Sequence, residues 1–149
     1  MSTLFGQGHQ ACDLVTQDEA NALLGGSANQ MRLGQDACVY SVRALGVKLA
    51  ITVQDLGVSA KATWDGMKAQ SVKAQRLAGD EAGMGANAYS EVSKRVDKDS
   101  SGQCGFVVLK GAKVIQVFVS DSAGKPDIAG KKEMLDKFRP LALKAVQRL

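Results

Sequence analysis

Two segments of alternating apolar and polar residues most constrain the fold of this chain. Residues 47–54 alternate strictly, and one face of this extended segment carries Val47, Leu49, Ile51 and Val53. Residues 37–43 alternate more weakly and are separated from 47–54 by a turn at Leu45 and Gly46. The pattern predicts a β-hairpin with one buried face.

A second hairpin is predicted from residues 104–110 and 112–120, which flank Gly111. In its second strand Val114 and Phe118 face one way, and the residues that face the other way are Ile115, Val117 and Val119. Strands that are apolar on both faces are typical of the covered centre of a sheet. We therefore expect 112–120 to be a central strand.

The two hairpins resemble each other along residues 38–55 and 104–121. A gapless alignment gives four identical pairs: Cys38 with Cys104, Val42 with Val108, Val53 with Val119 and Asp55 with Asp121. A predicted helix follows each hairpin, so one interpretation is a duplicated ββα unit over 38–75 and 104–149. The other interpretation is chance, because any two hairpins rich in Val and Ile align this well.

The first helix has both of its ends specified by local sequence. Thr16 and Glu19 match the capping box, in which the Thr hydroxyl and the Glu carboxylate each accept a hydrogen bond from a free backbone N–H group. Gly25 and Gly26 end the helix, because glycine readily adopts the left-handed conformation that closes a helix.

Two further helices are predicted from apolar stripes at helical spacing. One runs from residue 59 to about 75, and its stripe consists of Ala60, Trp64, Met67, Ser71 and Ala74. The other runs from about residue 128 to 148. Pro140 lies inside it and must either kink the helix or begin a second one.

Residues 27–36 and 76–86 are polar or glycine-rich and are expected to be loops, and 87–92 is a candidate strand. Together these elements predict an α+β fold in the order helix, hairpin, helix, hairpin, helix, with the helices packed on one antiparallel β-sheet. A chain of 149 residues suits one domain with a sizeable core. We expect a flexible lead at 1–11 and a single domain at 12–149.

The charge balance argues against a nucleic-acid partner, and the absence of a long apolar run argues against a transmembrane segment while an association with the cell envelope stays open. The formal net charge is +4, from 19 Lys and Arg against 15 Asp and Glu, but the basic residues are dispersed. The densest pair, Lys131 and Lys132, is followed at once by Glu133.

No apolar run approaches the roughly 18 residues that a membrane-spanning helix needs. The opening residues MSTLFGQGHQ lack the charged and apolar regions of a signal peptide, which fits either a cytosolic protein or a mature exported domain.

The histidine count excludes most histidine-dependent chemistry. His9 is the only histidine and lies in the predicted lead, so Ser-His-Asp and Cys-His catalysis would have no oriented imidazole. The three cysteines, Cys12, Cys38 and Cys104, lack the CxxC pairs of a structural zinc site. We expect no metal and no cofactor.

The remaining candidate site residues are Asp80, Glu81, Trp64 and Tyr40. The first two belong to GDEAGMGA (79–86), which has no phosphate-binding glycine motif. Their carboxylates could do acid–base chemistry only in a cleft that raised their pKa values. Trp64 falls on a helical stripe and Tyr40 on a predicted strand, where core packing is the default and ligand contact is the alternative.

The cysteines have two interpretations. Two of them could form a disulfide, a bond that persists in oxidising compartments. Alternatively, all three are reduced and buried in a cytosolic protein, where each behaves as a small apolar residue. The residues by themselves leave these alternatives open.

Several short motifs resemble a known pattern. They are CDLVT at 12–16, with Glu19 and Ala20 and then LLG at 23–25, CVY at 38–40 and GDEA at 79–82. In these motifs, and in the final Arg-Leu, the chain is similar from about residue 11 to its end to small bacterial extracytoplasmic proteins. Those proteins are often lipoproteins and carry a domain of unknown function.

The resemblance implies a periplasmic or secreted protein, with a cytoplasmic location as the alternative. It also implies a disulfide between Cys12 and Cys38, which would tie the first helix to the first strand, and it leaves Cys104 unpaired. Some proteins of this kind have a Mog1/PsbP-like fold, in which an antiparallel sheet lies between helices. No catalytic residues come with the resemblance, and the residues before Cys12 lack the apolar side chain that lipid attachment needs.

These expectations favour a non-enzymatic binding module for an unknown protein or small ligand. One alternative is a secreted inhibitor or accessory subunit, and another is an enzyme that uses the loop carboxylates. A ligand-binding module needs a cavity between sheet and helices, and an inhibitor needs an exposed apolar sheet face. An enzyme of the third kind needs Asp80 or Glu81 in a cleft with a second polar group in reach.

Overall fold

A computed structural model describes residues 11–85 and 87–149, which have an α+β architecture. The helices in these ranges are α1 (Gln17–Leu24), α2 (Ala60–Lys73) and α3 (Lys132–Arg148). The strands are β1 (Asn29–Leu33), β2 (Ala37–Val42), β3 (Val47–Asp55), β4 (Leu77–Asp80), β5 (Asn87–Ser93), β6 (Gln103–Lys110) and β7 (Lys113–Asp121). Except for Ala11, the predicted lead at 1–11 lies outside the described residues.

The strands form one antiparallel sheet in the order β1-β2-β3-β7-β6-β5-β4. Both predicted hairpins are confirmed as β2/β3 and β6/β7, and they lie side by side because β3 pairs with β7. Leu49 faces Val119 and Ile51 faces Val117 across that junction, so the apolar faces of the two hairpins coincide. β7 occupies the centre of the sheet, as its two apolar faces predicted.

Two strands fall in segments that were expected to be loops, and those two expectations were wrong. All five residues of β1, at 29–33, are exposed. β4 has only four residues, and its pairing with β5 is irregular between Leu77 and Gly79. Both strands lie at edges of the sheet, where pairing to one neighbour requires no alternating apolar face. The predicted order of three helices and two hairpins is therefore incomplete.

The C-terminal helix begins at Lys132, later than predicted, because the preceding residues are held in a turn. The backbone N–H groups of Ile128 and Ala129 donate to the buried Asp121 carboxylate at 3.0 and 2.9 Å. Gly102 N–H and the Arg95 guanidinium donate to its other oxygen at 2.7 Å each. Burial opposes ionisation of Asp121, but these donors lower its pKa. The helix then runs without a break through Pro140.

The two halves of the proposed duplication differ in two respects. The turn between Val42 and Val47 has four residues, whereas the turn between Lys110 and Lys113 has two. The helices that follow the hairpins pack on opposite faces of the sheet. The duplicated unit stays a hypothesis.

The sheet has a hydrophobic core on each face. On one face α1 and α3 cover the larger core, in which Phe106 and Phe138 pack edge to face with ring centroids 5.4 Å apart. On the other face α2 covers only part of the sheet, and the buried residues of this smaller core are Ala60, Trp64, Tyr89, Val107 and Val114.

Covalent and ionic contacts fasten the α1 side of the molecule. A disulfide joins Cys12, just before α1, to Cys38 in β2, and Cys104 is a free, buried thiol whose pKa burial raises to about 12. Arg148 at the end of α3 donates to both carboxylate oxygens of Glu19 at 2.6 and 2.9 Å. This contact holds the pKa of Glu19 at about 2. No helix in the described ranges is long and apolar enough to span a membrane.

Candidate ligand-binding groove

An open groove of about 590 Å³ lies between α2 and the sheet face beneath it. Thr63, Met67 and Gln70, spaced by one turn of helix, form its α2 wall. Its floor comes from three neighbouring strands and consists of Tyr89, Glu91, Gln103, Val107, Gln116 and Phe118. Arg76, which follows α2, closes one end.

The groove exists because α2 is anchored to the sheet at a limited set of positions. Trp64 packs edge to face on Tyr89, with ring centroids 5.6 Å apart, and its indole N–H donates to the carbonyl oxygen of Val107 at 3.2 Å. These large rings act as a spacer between helix and sheet. Gly66 contributes no side chain on the groove side of α2, so space remains beside the anchor.

The floor of the groove is a flat aromatic surface next to a carboxylate. Glu91, Gly105 and Phe118 lie side by side across β5, β6 and β7. A Cβ atom on Gly105 would lie only 2.5 Å from the Phe118 ring, so the ring lies over the glycine backbone. Any larger residue at position 105 would collide with the Val117 carbonyl oxygen and with this ring. Glycine is required here because only its backbone lets the ring approach so closely.

Glu91 and Arg76 form a loose ion pair within the groove. Only 6% of the Glu91 surface is exposed, and its Oε1 lies 3.6 Å from the Nε of Arg76, which is too long for a hydrogen bond. Among the described residues, no hydrogen bond reaches the Glu91 carboxylate. The buried Nε–H of Arg76 likewise has no hydrogen-bond partner there.

Other polar groups of the groove are also available to a ligand. Burial and the nearby Glu91 charge raise the pKa of Tyr89 to about 12, so its phenol remains protonated at neutral pH. The amides of Gln70, Gln103 and Gln116 make no side-chain hydrogen bond to any described residue. A concave site with a few convergent polar groups and an aromatic floor is the usual form of a small-molecule pocket.

The structure places the candidate carboxylates Asp80 and Glu81 outside this groove. Asp80 is exposed and pairs with Lys68 at 2.6 Å. Glu81 is largely buried, accepts from the Arg139 guanidinium at 2.7 Å and accepts from the hydroxyl of Ser90 at 2.8 Å. Each carboxylate is therefore paired with its own cation: Asp80 with Lys68 of α2, and Glu81 with Arg139 of α3. The two carboxylates do not share one cleft.

The two candidate aromatic residues lie in different cores. Trp64 is buried beside the groove, where it positions α2. Tyr40 is fully buried on the opposite face of the sheet. Its hydroxyl donates to the carbonyl oxygen of Val15 at 2.6 Å and accepts from the side-chain amide of Gln30 at 2.8 Å. The structure therefore does not bring the four candidate residues together.

Sequence reasoning missed the groove residues, although some of them carry a detectable signal. Gln116 interrupts the apolar strand VIQVFV, and Glu91 lies on the same face of β5 as the buried Tyr89. A polar side chain inside a buried strand requires a partner or a function. Arg76 carries no such signal in the sequence. Its distance from Glu91 depends on the path of the chain between the end of α2 and β4.

No group of His, Cys, Asp and Glu side chains in the described part of the chain is arranged to hold a metal ion. No known family model matches this chain, and no curated protein matches it either.

Proposed function

We propose that this protein is a non-enzymatic binding module whose small ligand lies in the groove between α2 and the sheet. The observation that carries the proposal is the loose pair of Glu91 and Arg76 in the same groove as the Phe118 ring. A buried polar atom without a partner costs about 1–3 kcal/mol of stability, and a ligand that supplies the partner recovers that free energy as affinity. Binding is favoured over catalysis by Asp80 and Glu81, because Lys68 and Arg139 already occupy those carboxylates.

We further propose an extracytoplasmic location, periplasmic or secreted, and a Mog1/PsbP-like fold. The Cys12–Cys38 disulfide supports the location, because such bonds persist mainly in oxidising compartments. Helices on both faces of an antiparallel sheet support the fold. Both features agree with the resemblance to small bacterial extracytoplasmic proteins.

A fragment screen followed by amide NMR tests the groove. A mixed library of small polar and aromatic compounds is added to isotope-labelled full-length protein. We expect the bound compounds to shift the amide signals of Tyr89, Glu91, Gly105 and Phe118, while Tyr40 on the other face stays unchanged. Shifts confined to surfaces outside the groove, or no binding by any compound, would contradict the proposal.

A second candidate function is protein contact, as in an inhibitor or accessory subunit. It is favoured by Met31 and Leu33 on the edge strand β1, which are 59% and 51% exposed on the sheet face that α2 leaves uncovered. A photo-crosslinker at Met31 should then capture one defined protein that a crosslinker at the still more exposed Val58 does not. Equal capture at both positions would contradict this second function.

A further inference from the structure

The Glu91–Arg76 pair differs in its geometry from two other ion pairs in which an arginine faces a largely buried carboxylate. Arg95 reaches Asp121 at 2.7 Å and Arg139 reaches Glu81 at 2.7 Å. Arg76 stops 3.6 Å from Glu91, and this distance is what distinguishes the pair, because a buried Nε without a hydrogen-bond partner among the described residues occurs in Arg95 as well. A donor and an acceptor thus lie next to each other, and neither has a hydrogen-bond partner in the described ranges 11–85 and 87–149.

The backbone around Arg76 helps to fix this separation. Gln75 adopts a φ of 60°, the only positive value at a non-glycine residue in the described chain, and such a conformation is strained for a residue with a Cβ atom. The next residue is bound through its backbone on both sides: Arg76 N–H donates to Ser71 and its carbonyl accepts from Val92, each at 2.9 Å. The side chain of Arg76 therefore leaves a fixed backbone.

A ligand that satisfies both groups must present an acceptor beside a donor. Its acceptor would take an N–H of the Arg76 guanidinium, whose side chain is 34% exposed, and its own N–H would donate to the Glu91 carboxylate. Planar amides have this arrangement, because their C=O and N–H groups lie side by side in one plane. A carboxylate ligand would supply acceptors only, and an amidinium would supply donors only.

The charge and shape of the groove also favour a planar, neutral ligand. Among the residues that the structure describes, Arg76 and Glu91 are the only charged side chains that line it, and their charges cancel. A charged ligand would meet one attractive and one repulsive group at nearly equal distance, so a neutral ligand is favoured. The Phe118 ring offers a flat surface on which a planar ligand can stack.

Building on the proposed groove function, we propose that the ligand is a neutral planar molecule with an amide-type edge, such as a primary carboxamide, a lactam or a cyclic urea. Its carbonyl oxygen accepts from Arg76, its N–H donates to Glu91, and its plane lies against Phe118.

Four small compounds of nearly equal shape test the proposal in the wild-type protein. Benzamide carries donor and acceptor, acetophenone carries the acceptor alone, benzoate carries two acceptors and a negative charge, and benzamidine carries donors and a positive charge. Amide NMR titrations give the four dissociation constants. We expect benzamide to bind at least about tenfold more tightly than each of the others, since a hydrogen bond to a charged group is worth about 1.5–3 kcal/mol. Equal binding of all four, or tightest binding of benzamidine or benzoate, would overturn the proposal.

A matched pair of variants separates a ligand contact from a structural role. Glu91→Gln removes the negative charge from the groove, so benzoate should gain affinity and the preference for benzamide over benzoate should fall about tenfold. Asp80→Asn makes the same chemical change at an exposed site outside the groove and should leave the preference unchanged. An unchanged preference in Glu91→Gln, with a wild-type-like NMR spectrum, would contradict a contact between Glu91 and the ligand.

The two proposals fail in different ways. If the wider library binds in the groove but benzamide shows no preference, the ligand class is wrong and the groove function stands. If benzamide and the library both leave the groove signals unchanged, both proposals are wrong.

Discussion

The two faces of the sheet differ in how completely helices cover them, and the less covered face carries the groove that we propose as the ligand site. The face under α1 and α3 carries a continuous apolar core that is fastened by a disulfide and by the Glu19–Arg148 ion pair. On the face under α2, helix and sheet together contribute a small core with five buried residues among those described, next to an open groove with loosely paired charges. One face supplies stability, and the other keeps polar groups available at a modest cost in stability.

The largest expected difference between the faces concerns two phenylalanines. Phe138 is fully buried against Phe106, so Phe138→Ala should lower the free energy of unfolding by about 3–5 kcal/mol. Phe118 is half-buried above Gly105, so Phe118→Ala should lower it by about 1 kcal/mol and weaken benzamide binding. Urea unfolding measures both free energies. If Phe118→Ala lost as much stability as Phe138→Ala, the two faces would not differ in how much their packing stabilises the protein.

The disulfide should stabilise the sheet face under α1 and α3 and not the face under α2. Replacing Cys12 and Cys38 together by Ala should lower the free energy of unfolding by about 3 kcal/mol, because the unfolded chain gains freedom. Hydrogen exchange should rise in α1 and β2, while the groove strands β5 and β6 keep their relative protection.

Cys104→Ala is the control, since this buried thiol forms no bond and acts as a small apolar residue. It should cost about 1 kcal/mol, and the exchange of α1 should keep its wild-type pattern. Alkylation of unfolded, unreduced protein should label one cysteine, and labelling of three would show that the disulfide is absent.

Acid should weaken the α1 side of the molecule through Glu19. Its folded pKa of about 2 lies below the ordinary value of 4.5, so the stability it provides is fully present above about pH 5 and is lost as the pH falls toward 2. After allowance for solvent screening, we expect about 1–2 kcal/mol over that interval.

Glu19→Gln should flatten the dependence of unfolding free energy on pH, because glutamine retains the capping contact without the charge. Asp80→Asn is the counterpart on the α2 side. Because its pair with Lys68 is exposed, Asp80→Asn should change the free energy of unfolding at neutral pH by less than about 1 kcal/mol. Identical profiles for wild type and Glu19→Gln would contradict the assigned role of the Glu19–Arg148 pair.

The smallest expected effects come from the ends of α1 and α2. Gly25 closes α1 at a φ of 81°, whereas the left-handed residue after α2 is Gln75 at a φ of 60°. Gln75→Gly should raise the free energy of unfolding by about 0.5 kcal/mol, and Gly25→Gln should lower it by about 1 kcal/mol. Calorimetric Tm values measure both changes, and shifts of the same sign would show that local contacts outweigh backbone strain.

Features that depend on local contacts were predicted correctly from the sequence. The capping box at Thr16 and Glu19 and the glycine at Gly25 specify α1, and both caps are present. The alternating residues specify the two hairpins, and the two apolar faces of 112–120 place β7 at the centre. The edge strands β1 and β4 escaped prediction, because a strand that buries no face leaves no apolar period in its sequence.

The sequence by itself determined the elements whose apolar pattern or caps are contained in a few neighbouring residues. Only the tertiary structure decided which polar residues meet in the groove. Glu91 comes from β5, Arg76 from the turn after α2, and Phe118 from β7. No periodicity links residues so far apart in the chain. Their proximity depends on the order of the strands and on the separation between α2 and the sheet that the packing of Trp64 on Tyr89 determines. The physical reason is that helices and hairpins form between residues close together in the chain, whereas the groove forms where the packing of elements from distant parts of the chain remains incomplete.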